Sequence, residues 1–336
     1  MTDIKQIVSF GEAMIRLTPP GHERLERTIS LNVTGGGAEL NVGVTVACLG
    51  HRAVWVSALP DNALGRSIVR SARAHGVDAS KVAMLPESAG RTGLYFLEEG
   101  TDPRPSSVLY DRARSAMALL EPGHFNWTEL LQGASAFMVS GITPALGKGA
   151  REETMASIKA ARAAGIPVFF DLNYRSKLWT EDEARASFVE IAPLVDVMFA
   201  SKGGLNTFFG IEGEDHTEVL TSACTRLGLA ACVLTRKKGK ASRSQKMAAI
   251  GALADGTIAE TDWKAVEIVD RVGGGDAFAG GFIVGYLEQP ENLRFALDLG
   301  LSASALKHTM VGDFLCATRD EIEAAILADE GGVLQR

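Results

Sequence analysis

The sequence predicts an α/β protein with a mainly parallel central sheet and a small additional β-sheet. From about Ala53 onward, short β-branched or aromatic segments alternate with helical patterns of roughly 10 to 18 residues, which is the rhythm of βαβ units. The chain has 336 residues, of which 46% are hydrophobic and 22% charged, so it can bury a large core. In two stretches, Arg16–Val33 and Thr92–Tyr110, apolar and polar residues alternate as they do in strands. Neither stretch has a helical pattern to cover it, which predicts the small sheet.

The predicted strands of the central sheet are short and apolar, as expected for strands that are buried on both faces. In chain order they are Ala53–Ala58, Ala136–Ser140, Val168–Asp171, Val195–Phe199 and Cys232–Thr235. The predicted helices precede, separate and follow them: Glu39–Leu49, Leu64–Ala74, Ala150–Ala164, Glu181–Ile191, Thr217–Leu227, Asp276–Leu287 and Leu293–Lys307.

Charge and composition argue against several classes of protein. A formal charge of −7 and a pI near 5.5 disfavour a nucleic-acid partner, since phosphate backbones are bound by clustered basic residues. The four cysteines form no CxxC pair, so they do not indicate a zinc site. The N-terminus shows no charged region followed by an apolar region, as a secretion signal would. No apolar run reaches the roughly 18 residues that a membrane span needs. We therefore expect a soluble protein in a reducing cytoplasm that does not bind a membrane.

One basic segment stands out. Residues Arg236–Gln245 (RKKGKASRSQ) are polar and poor in apolar side chains, which predicts an exposed and mobile loop.

The strongest local signal is a run of three glycines before an acidic residue that opens an apolar helix. The main-chain N–H groups of Gly273, Gly274 and Gly275 can curl around an anion, and the helix N-terminus adds its positive dipole. Asp276 can act as a helix cap, or it can accept a proton from a hydroxyl that attacks a bound phosphate. The run is therefore a candidate phosphate site, although a tight turn with a capping Asp explains it equally well.

Two other nucleotide-binding patterns are absent from the sequence. The stretch from Gly141 to Gly149 has one spacer residue too many for a Walker A loop and lacks the Ser or Thr after Lys148. Gly35–Gly37 is not followed by the last glycine that a dinucleotide-binding G-x-G-x-x-G fingerprint requires, so an NAD-dependent oxidoreductase is disfavoured.

Asp270–Phe278 (DRVGGGDAF) resembles the C-terminal signature of the PfkB carbohydrate kinases, in the version typical of 2-keto-3-deoxygluconate kinases. The resemblance extends over roughly residues 7 to 325, with the motifs in order. It implies a single ribokinase-like three-layer α/β/α domain over 1–336, with a lid formed by about 12–34 and 88–112. It also implies that Asp276 is the catalytic base and that Gly273–Gly275 form the anion hole.

Three segments resemble the substrate segments of the same family. The first contains Gly36, Gly37 and Asn41; the lid segments contain Tyr95, Tyr110 and Arg112; and a segment after a central strand contains Asn173 and Arg175. The resemblance implies that these residues bind the sugar. Guanidinium groups bind carboxylates through paired hydrogen bonds, and a neutral hexose does not require them. We therefore expect a sugar acid as the substrate.

The resemblance also implies a nucleotide site and the cofactors ATP and Mg²⁺, and it leaves a monovalent cation open. The expected nucleotide-binding residues are Ser201, Thr235, Arg236, Gly239, Gly275, Lys307 and His308. The chain departs from the family at Ala200–Gly204, where relatives carry an N-x-x-E run that helps to organise magnesium. This change leaves the metal ligands unknown.

The expected function is ATP-dependent phosphorylation of the terminal hydroxyl of 2-keto-3-deoxygluconate. Three alternatives stay open: the galactonate epimer as substrate, a neutral sugar of the fructose or ribose type, and a catalytically weak protein that binds a sugar acid. The outer face of a β-lid can pair with a second copy, so we also expect a homodimer or a higher homo-oligomer that forms through the lid.

Overall fold

The computed structural model describes residues 3–239 and 244–327. In this part of the chain, helices cover both faces of a large sheet, and a second, smaller sheet stands apart from it. The strands are β1 (Gln6–Phe10), β2 (Met14–Thr18), β3 (Asn32–Gly36), β4 (Arg52–Pro60), β5 (Val77–Asp78), β6 (Val82–Leu85), β7 (Leu94–Glu98), β8 (Ser107–Asp111), β9 (Ala136–Ser140), β10 (Val168–Asp171), β11 (Val197–Phe199), β12 (Ala231–Lys238), β13 (Ser244–Leu253), β14 (Ile258–Glu260) and β15 (Lys264–Glu267).

Most of the helices connect strands of the large sheet. They are α1 (Ala38–Cys48), α2 (Ala63–Ala74), α3 (Trp127–Leu130), α4 (Lys148–Ala163), α5 (Glu181–Ile191), α6 (Lys202–Phe209), α7 (His216–Leu227), α8 (Gly274–Glu288), α9 (Leu293–His308) and α10 (Arg319–Leu327). Short 3₁₀ turns occur at Glu87–Ala89, Thr143–Ala145 and Ala192–Leu194. Among the residues that the structure describes, no helix combines the length and the apolar composition that a membrane span requires.

The large sheet is parallel over most of its width. Its order is β14-β13-β12-β11-β10-β9-β1-β4-β5, and β15 and β6 pair with β13 and β4. Pairing is parallel from β12 through β11, β10, β9, β1 and β4 to β5, whereas β13 runs antiparallel to β12, β14 and β15. The structure confirms the mainly parallel sheet that the sequence predicts, and it adds an antiparallel edge.

Alternating side chains divide the core into two halves, one on each face of the large sheet. Ile7 and Phe169 pack in one half, and their neighbours Val8 and Phe170 pack in the other. Such alternation is what a two-sided buried strand requires. The first half contains apolar residues of α1, α2, α8, α9 and α10, and the second contains those of α3 to α7. The result is the expected three-layer α/β/α arrangement.

The small sheet has the order β3-β2-β7-β8. β2 pairs antiparallel with β3 and parallel with β7, and β7 pairs antiparallel with β8. The registers Arg16↔Tyr95 and Tyr95↔Tyr110 place these three side chains on one face. The opposite face carries Leu17 and Phe96, which also lie in register. The two stretches without a covering helix therefore form one separate sheet.

The basic segment Arg236–Gln245 differs from the predicted loop. Arg236–Lys238 end β12, and Ser244 and Gln245 begin β13, so both ends of the segment are strand. The Lys238 Nζ lies 4.1 Å from the centroid of the Trp263 ring, and Arg236 lies over the same ring. Cation–π contacts and strand pairing thus order residues whose polarity suggested a loop. Residues 240–243 lie outside the described part of the chain.

Candidate active site

The candidate active site lies at the edge where the parallel strands of the large sheet end. Glu39, in the first turn of α1, accepts hydrogen bonds at Oε1 from the N–H (2.9 Å) and hydroxyl (2.7 Å) of Ser140, the last residue of β9. Asp171 is the last residue of β10. Ligands of open α/β sheets bind at the carboxyl ends of the strands. The N-termini of α1 and α8 meet at this edge, where Asn41 of α1 donates a hydrogen bond to Asp276 of α8.

The glycine run forms the start of α8, as the sequence predicts. Gly273 is the N-cap with φ of +83°, a left-handed conformation that glycine adopts without strain. A Cβ at this position would also lie 1.9 Å from the main-chain oxygen of Asp313. Gly275 is exposed and faces open space, so its N–H group at the helix start is accessible to an anion.

Asp276 lies in the first turn of α8, half-buried, and does not cap the helix. The Nδ2 group of Asn41 donates a 2.6 Å hydrogen bond to its Oδ2. The side-chain oxygen of Asn41 in turn accepts from the N–H of Gly37 at 3.2 Å, which orients the amide. Burial raises the pKa of Asp276 to about 7, the hydrogen bond from Asn41 opposes this shift, and the charge of Asp313 adds to it.

Asp171 is a second carboxyl group close to Asp276. Burial raises the pKa of Asp171 to about 7, and the charge of Asp276 raises it further, whereas Arg175 lowers it. The Nδ2 group of Asn173 donates to Oδ2 of Asp171 at 3.3 Å. Two neighbouring carboxyl groups with raised pKa values are typical of sites that transfer protons or bind cations.

The segment after β10 supplies the positive charge near these carboxyl groups. Arg175 is exposed, and its charge lowers the pKa of both Asp171 and Asp276, so it lies near both. Lys177, which the sequence analysis did not single out, donates from Nζ to the main-chain oxygen of Val108 in the small sheet at 3.1 Å. Its Nζ also lies 5.7 Å from the centroid of the Tyr110 ring. This segment therefore joins the small sheet to the site.

Arg112 lies beside Tyr110 and forms an ion pair with a residue that the sequence analysis did not assign to the site. Its Nη2 contacts Oε2 of Glu12, two residues after the end of β1, and its guanidinium lies 5.8 Å from the centroid of the Tyr110 ring. Both side chains are largely buried, yet Nε of Arg112 and Oε1 of Glu12 have no hydrogen-bond partner. Buried polar atoms without a partner are unusual and suit a ligand that supplies one.

Tyr95 and Gly36 lie against Asp313 rather than in open space. The Tyr95 hydroxyl donates to the Asp313 carboxylate, with oxygen distances of 2.6 and 2.7 Å. A Cβ at Gly36 would lie 2.1 Å from Oδ2 of Asp313, so this position requires glycine. Asp313 also accepts from Nη1 of Arg16 at 3.0 Å. The sequence predicts that Tyr95 contacts the sugar. In the structure, its hydroxyl donates to Asp313 instead.

Arg16 is the main residue that sequence reasoning missed. It is 1% exposed, and its Nη2 lies 2.6 Å from Oδ2 of Asp270, at the start of the glycine motif. Its Nε donates to Oγ1 of Thr18 at 2.9 Å. A charged residue on the inward face of an otherwise apolar strand, MIRLT, is the signal that could have indicated it.

The expected nucleotide residues fall into two groups. Lys307 is fully buried, and its Nζ donates to main-chain oxygens, so it does not reach a nucleotide directly as the sequence analysis expected. His308 is 1% exposed, its Nδ1 contacts the Ser304 oxygen at 2.6 Å, and its Nε2 has no partner. Burial lowers the pKa of His308 to about 4, so the ring is neutral at pH 7.

The other expected nucleotide residues lie at the surface near the ends of β11 and β12. Thr235 is half-buried, Gly239 is exposed with φ of +107°, and Arg236 pairs with Glu260. Ser201 is exposed and caps α6 by accepting from the N–H of Gly204 at 3.0 Å. Gly239 directly precedes residues 240–243, which lie outside the described part of the chain.

The residues of the site are compatible with Mg²⁺ that arrives on a nucleotide. Such Mg²⁺ is held mainly by phosphate oxygens and water, with one or two carboxylates from the protein. Asp171 and Asp276 supply two carboxyl groups at this edge. Within residues 3–239 and 244–327, no group of three or more metal-binding side chains occurs. The altered segment from Ala200 to Gly204 contributes no carboxylate.

Comparisons with known proteins agree over nearly the whole chain. The model of the "pfkB family carbohydrate kinase" family matches residues 4–319. A 2-dehydro-3-deoxygalactonokinase of Haloferax volcanii is 37% identical over 330 residues, which cover 98% of each chain. A 2-dehydro-3-deoxygluconokinase of Bacillus subtilis is 28% identical and is matched over 98% of this chain and 97% of its own length.

Solved structures give the same result for the fold. The crystal structure of a 2-dehydro-3-deoxygluconokinase from Thermotoga maritima superposes with a TM-score of 0.92 at 34% identity. The match covers 97% of this chain and 99% of that one. The ribokinase-like architecture that the sequence motifs implied is therefore confirmed.

Proposed function

The chain belongs to the pfkB family of carbohydrate kinases, and from this premise we propose that it transfers the γ-phosphoryl group of ATP to the terminal hydroxyl of a 2-keto-3-deoxy sugar acid. Our first candidate is 2-keto-3-deoxygluconate, the substrate class named for the Thermotoga maritima and Bacillus subtilis relatives. The observation that carries the proposal is the Asp276 carboxylate, which lies at the start of α8 beside the exposed Gly275 and is oriented by Asn41.

In the proposed mechanism, Asp276 accepts the proton of the attacking hydroxyl. A base with a pKa of about 7 is partly deprotonated at neutral pH and still basic enough to take a proton. The new bond forms between the sugar oxygen and the γ-phosphorus as the bond to the ADP oxygen breaks. The N–H groups of Gly273–Gly275 and the dipole of the 15-residue α8 stabilise the charge on the transferring phosphoryl.

The carboxylate of the substrate is the feature that the surrounding cations would recognise. Arg175 is exposed and close to both carboxyl groups of the site, so a sugar held with its terminal hydroxyl at Asp276 lies within its reach. The unpartnered Nε of Arg112 and Oε1 of Glu12 offer one donor and one acceptor to sugar oxygens. Lys177 links this region to the small sheet, which we propose acts as the lid over the sugar.

Mg²⁺ bound to ATP neutralises phosphate charge, and in this chain Asp171 is the residue that we propose holds it. Asp171 lies close enough to Asp276 for the two charges to interact. Ser201 and Gly204 do not replace the acidic residue that relatives carry in the segment after β11. In this proposal, Asp171 carries a larger share of the metal binding than in those relatives.

The experiment that tests the function is coupled ADP release with ATP, Mg²⁺ and a panel of acceptors. The panel contains 2-keto-3-deoxygluconate, its galactonate epimer, gluconate, fructose and ribose. The Asp276→Asn variant, prepared in parallel, reports any contaminating kinase. We expect turnover of a keto-deoxy acid and little turnover of gluconate or the neutral sugars. Turnover confined to fructose or ribose would reject the sugar-acid proposal, and acid binding without turnover would indicate a binding protein.

The galactonate epimer is the second candidate, and one observation favours it. The Haloferax volcanii relative at 37% identity is a 2-dehydro-3-deoxygalactonokinase and matches this chain from end to end. The two epimers differ in the orientation of one hydroxyl, so both present the same carboxylate and the same terminal hydroxyl. The ratio of kcat/KM for the two acids decides between them, and a ratio near one would mean that the enzyme uses both.

The outer face of the small sheet supports the proposal that the protein forms a homo-oligomer. Leu17, Val33, Phe96 and Leu109 lie in register on the four strands of this face, and Val33 and Leu109 are 65% and 58% exposed. Such a row can pack against the same row of a second copy. Light scattering tests this: Val33→Glu with Leu109→Glu should lower the mass to that of a monomer. Val189→Glu, at an exposed site on α5, should leave the mass unchanged.

A further inference from the structure

A fully buried lysine lies beside the glycine turn. Lys307, in the last turn of α9, is 0% exposed. Its Nζ donates to the main-chain oxygen of Asp270 at 3.4 Å and to that of Met310 at 3.2 Å. A buried ammonium is costly unless oxygen atoms replace its water shell, and here main-chain carbonyls do so.

The ammonium connects the two segments that shape the anion site. Asp270 lies three residues before Gly273, and Met310 lies three residues before Asp313. The lysine stem also packs under the turn itself, because a Cβ at Gly273 would lie 3.2 Å from Cε of Lys307. The position of the N–H groups that would face a phosphate therefore depends on this side chain.

Arg16 is the second cation of a buried cluster that also contains Lys307, Asp270 and Asp313. Arg16 lies 2.6 Å from Oδ2 of Asp270 and donates to Asp313 at 3.0 Å, so two buried cations face two buried carboxylates. Burial lowers the pKa of Lys307, and the charges of Asp270 and Asp313 oppose this shift. The two cations offset the charges of the two buried carboxylates, and Oε1 of the partly exposed Glu99 lies 3.5 Å from Nη2 of Arg16.

The oxygen atoms that an exchangeable cation needs next to the turn already have partners. The main-chain oxygens of Asp270 and Met310 accept from Lys307. The carboxylate of Asp270 contacts Arg16 and accepts from the N–H groups of Val272 and Gly312, both at 3.0 Å. These residues therefore do not fit the monovalent cation that the sequence left open.

We propose that Lys307 is a positioning residue, a built-in cation that fixes the glycine turn, and that phosphoryl transfer in this protein consequently requires no potassium or sodium. The proposal rests on the proposed kinase function. It replaces the earlier expectation that Lys307 contacts the nucleotide. Lys307 acts through the main chain of Asp270 and the turn, and does not touch the reacting atoms.

The first test uses the unmodified protein. The enzyme is dialysed into a tetramethylammonium buffer, and ADP release is measured with both keto-deoxy acids after adding K⁺, Na⁺ or NH₄⁺ at constant ionic strength. We expect rates to change by less than about two-fold, as for general effects of ionic composition. Stimulation of ten-fold or more by one cation would overturn the proposal.

The second test changes the lysine. Lys307→Met keeps the stem and removes the charge, and we expect kcat to fall by about 10- to 100-fold because the turn loses its position. Lys159→Met, at an exposed site on α4, is the matched control and should keep full activity. Unchanged kcat in Lys307→Met would contradict the positioning role.

A third variant separates positioning from general stability. Lys307→Ala leaves space in front of the two carbonyls, so K⁺, NH₄⁺ or methylammonium should restore part of its kcat, although these ions do not stimulate the wild type. A merely structural role predicts a lower melting temperature without such rescue, and this result would contradict the proposal. If the alanine variant does not fold, the cation test on the unmodified enzyme still decides.

A separate readout distinguishes this proposal from the proposed function. The stabilisation of the protein by ADP and Mg²⁺ in thermal melts needs no sugar and reports the nucleotide site alone. If none of the acceptors is phosphorylated, the function fails. The proposal on Lys307 is then supported if ADP and Mg²⁺ raise the melting temperature equally with and without K⁺. It is contradicted if this increase in melting temperature requires K⁺.

Discussion

Asn41 donates a 2.6 Å hydrogen bond to the carboxylate of Asp276, from a position 235 residues earlier in the chain. This contact joins the start of α1 to the start of α8, and therefore joins the expected sugar motif to the expected phosphate motif. The amide also accepts from the N–H of Gly37, which fixes its orientation so that its NH₂ group faces Asp276. The carboxylate is thus held in one place with one oxygen occupied.

Asp276→Asn should lower kcat by about 100- to 10,000-fold, because the variant cannot accept the proton of the hydroxyl. KM for the sugar acid should stay within a few-fold of wild type, since the asparagine oxygen can still accept from Asn41. Steady-state ADP release measures both constants. Asp262→Asn, which changes an exposed carboxylate, is the matched control. Near-normal turnover in Asp276→Asn would remove Asp276 from the mechanism.

The activity should rise with pH up to about 7. The pKa of Asp276 is about 7 and a base works only when deprotonated, so log(kcat/KM) for the acid should increase below that pH and level off above it. Since the charge of Asp276 raises the pKa of Asp171, the two groups titrate as a coupled pair. A pH-independent profile from pH 5 to 8 would contradict the role of this pair.

Stability should respond to pH in the opposite direction. Between the ordinary carboxyl pKa of 3.8 and the folded value of about 7, the folded state binds more protons at Asp276 than the unfolded state. The contribution of this group to the free energy of unfolding is therefore present at low pH and decreases as pH rises through this window. Asp276→Asn removes this loss, so the variant should melt at a higher temperature than wild type at pH 8. A lower melting temperature there would show that the carboxylate is stabilising.

Much of the fold follows from short-range patterns in the sequence. The strands Ala136–Ser140 and Val168–Asp171 and the helix Glu181–Ile191 were predicted with the bounds that the structure has, because apolar runs and turn residues delimit them. The glycine run before Asp276 was also recognisable, since main-chain geometry alone limits its residue types. Local composition specifies these elements.

Contacts between distant segments were not predictable in this way. Arg16 looks like any charged residue on a strand, and only the fold brings it to Asp270 and Asp313. The same applies to the basic segment after Thr235, where pairing with β13 and the ring of Trp263 outweigh a polar composition. When the role of a residue depends on a partner that is distant in the sequence, the structure is needed to predict that role.

Arg175→Met should raise KM for the sugar acid by about 10- to 100-fold, which corresponds to the loss of a charge-assisted hydrogen bond of roughly 1.5 to 3 kcal/mol. KM for ATP should stay the same, since the proposed contact of Arg175 is with the carboxylate of the sugar acid and not with the nucleotide. Initial rates with each substrate varied in turn measure both constants. Arg185→Met, at an exposed site on α5, is the matched control. An unchanged KM for the acid would show that Arg175 does not bind its carboxylate.

Arg16→Met should destabilise the protein by about 3 to 5 kcal/mol, because it removes the cation that pairs directly with the buried carboxylates of Asp270 and Asp313. For a chain of this size the melting temperature should fall by about 5 to 15 °C. Tyr95→Phe removes only a hydroxyl that donates to Asp313, so a loss near 1 kcal/mol is expected.

The matched control for Arg16 is Arg66→Met, which breaks an ion pair with Asp61 whose side chains are 61% and 58% exposed. Exposed pairs contribute at most about 1 kcal/mol, so this variant should melt close to wild type. Equal melting temperatures for the two arginine variants would contradict the structural role of the buried cluster. A large difference would show that the small sheet is anchored to the glycine motif through Arg16, because Arg16 is the residue of β2 that contacts Asp270.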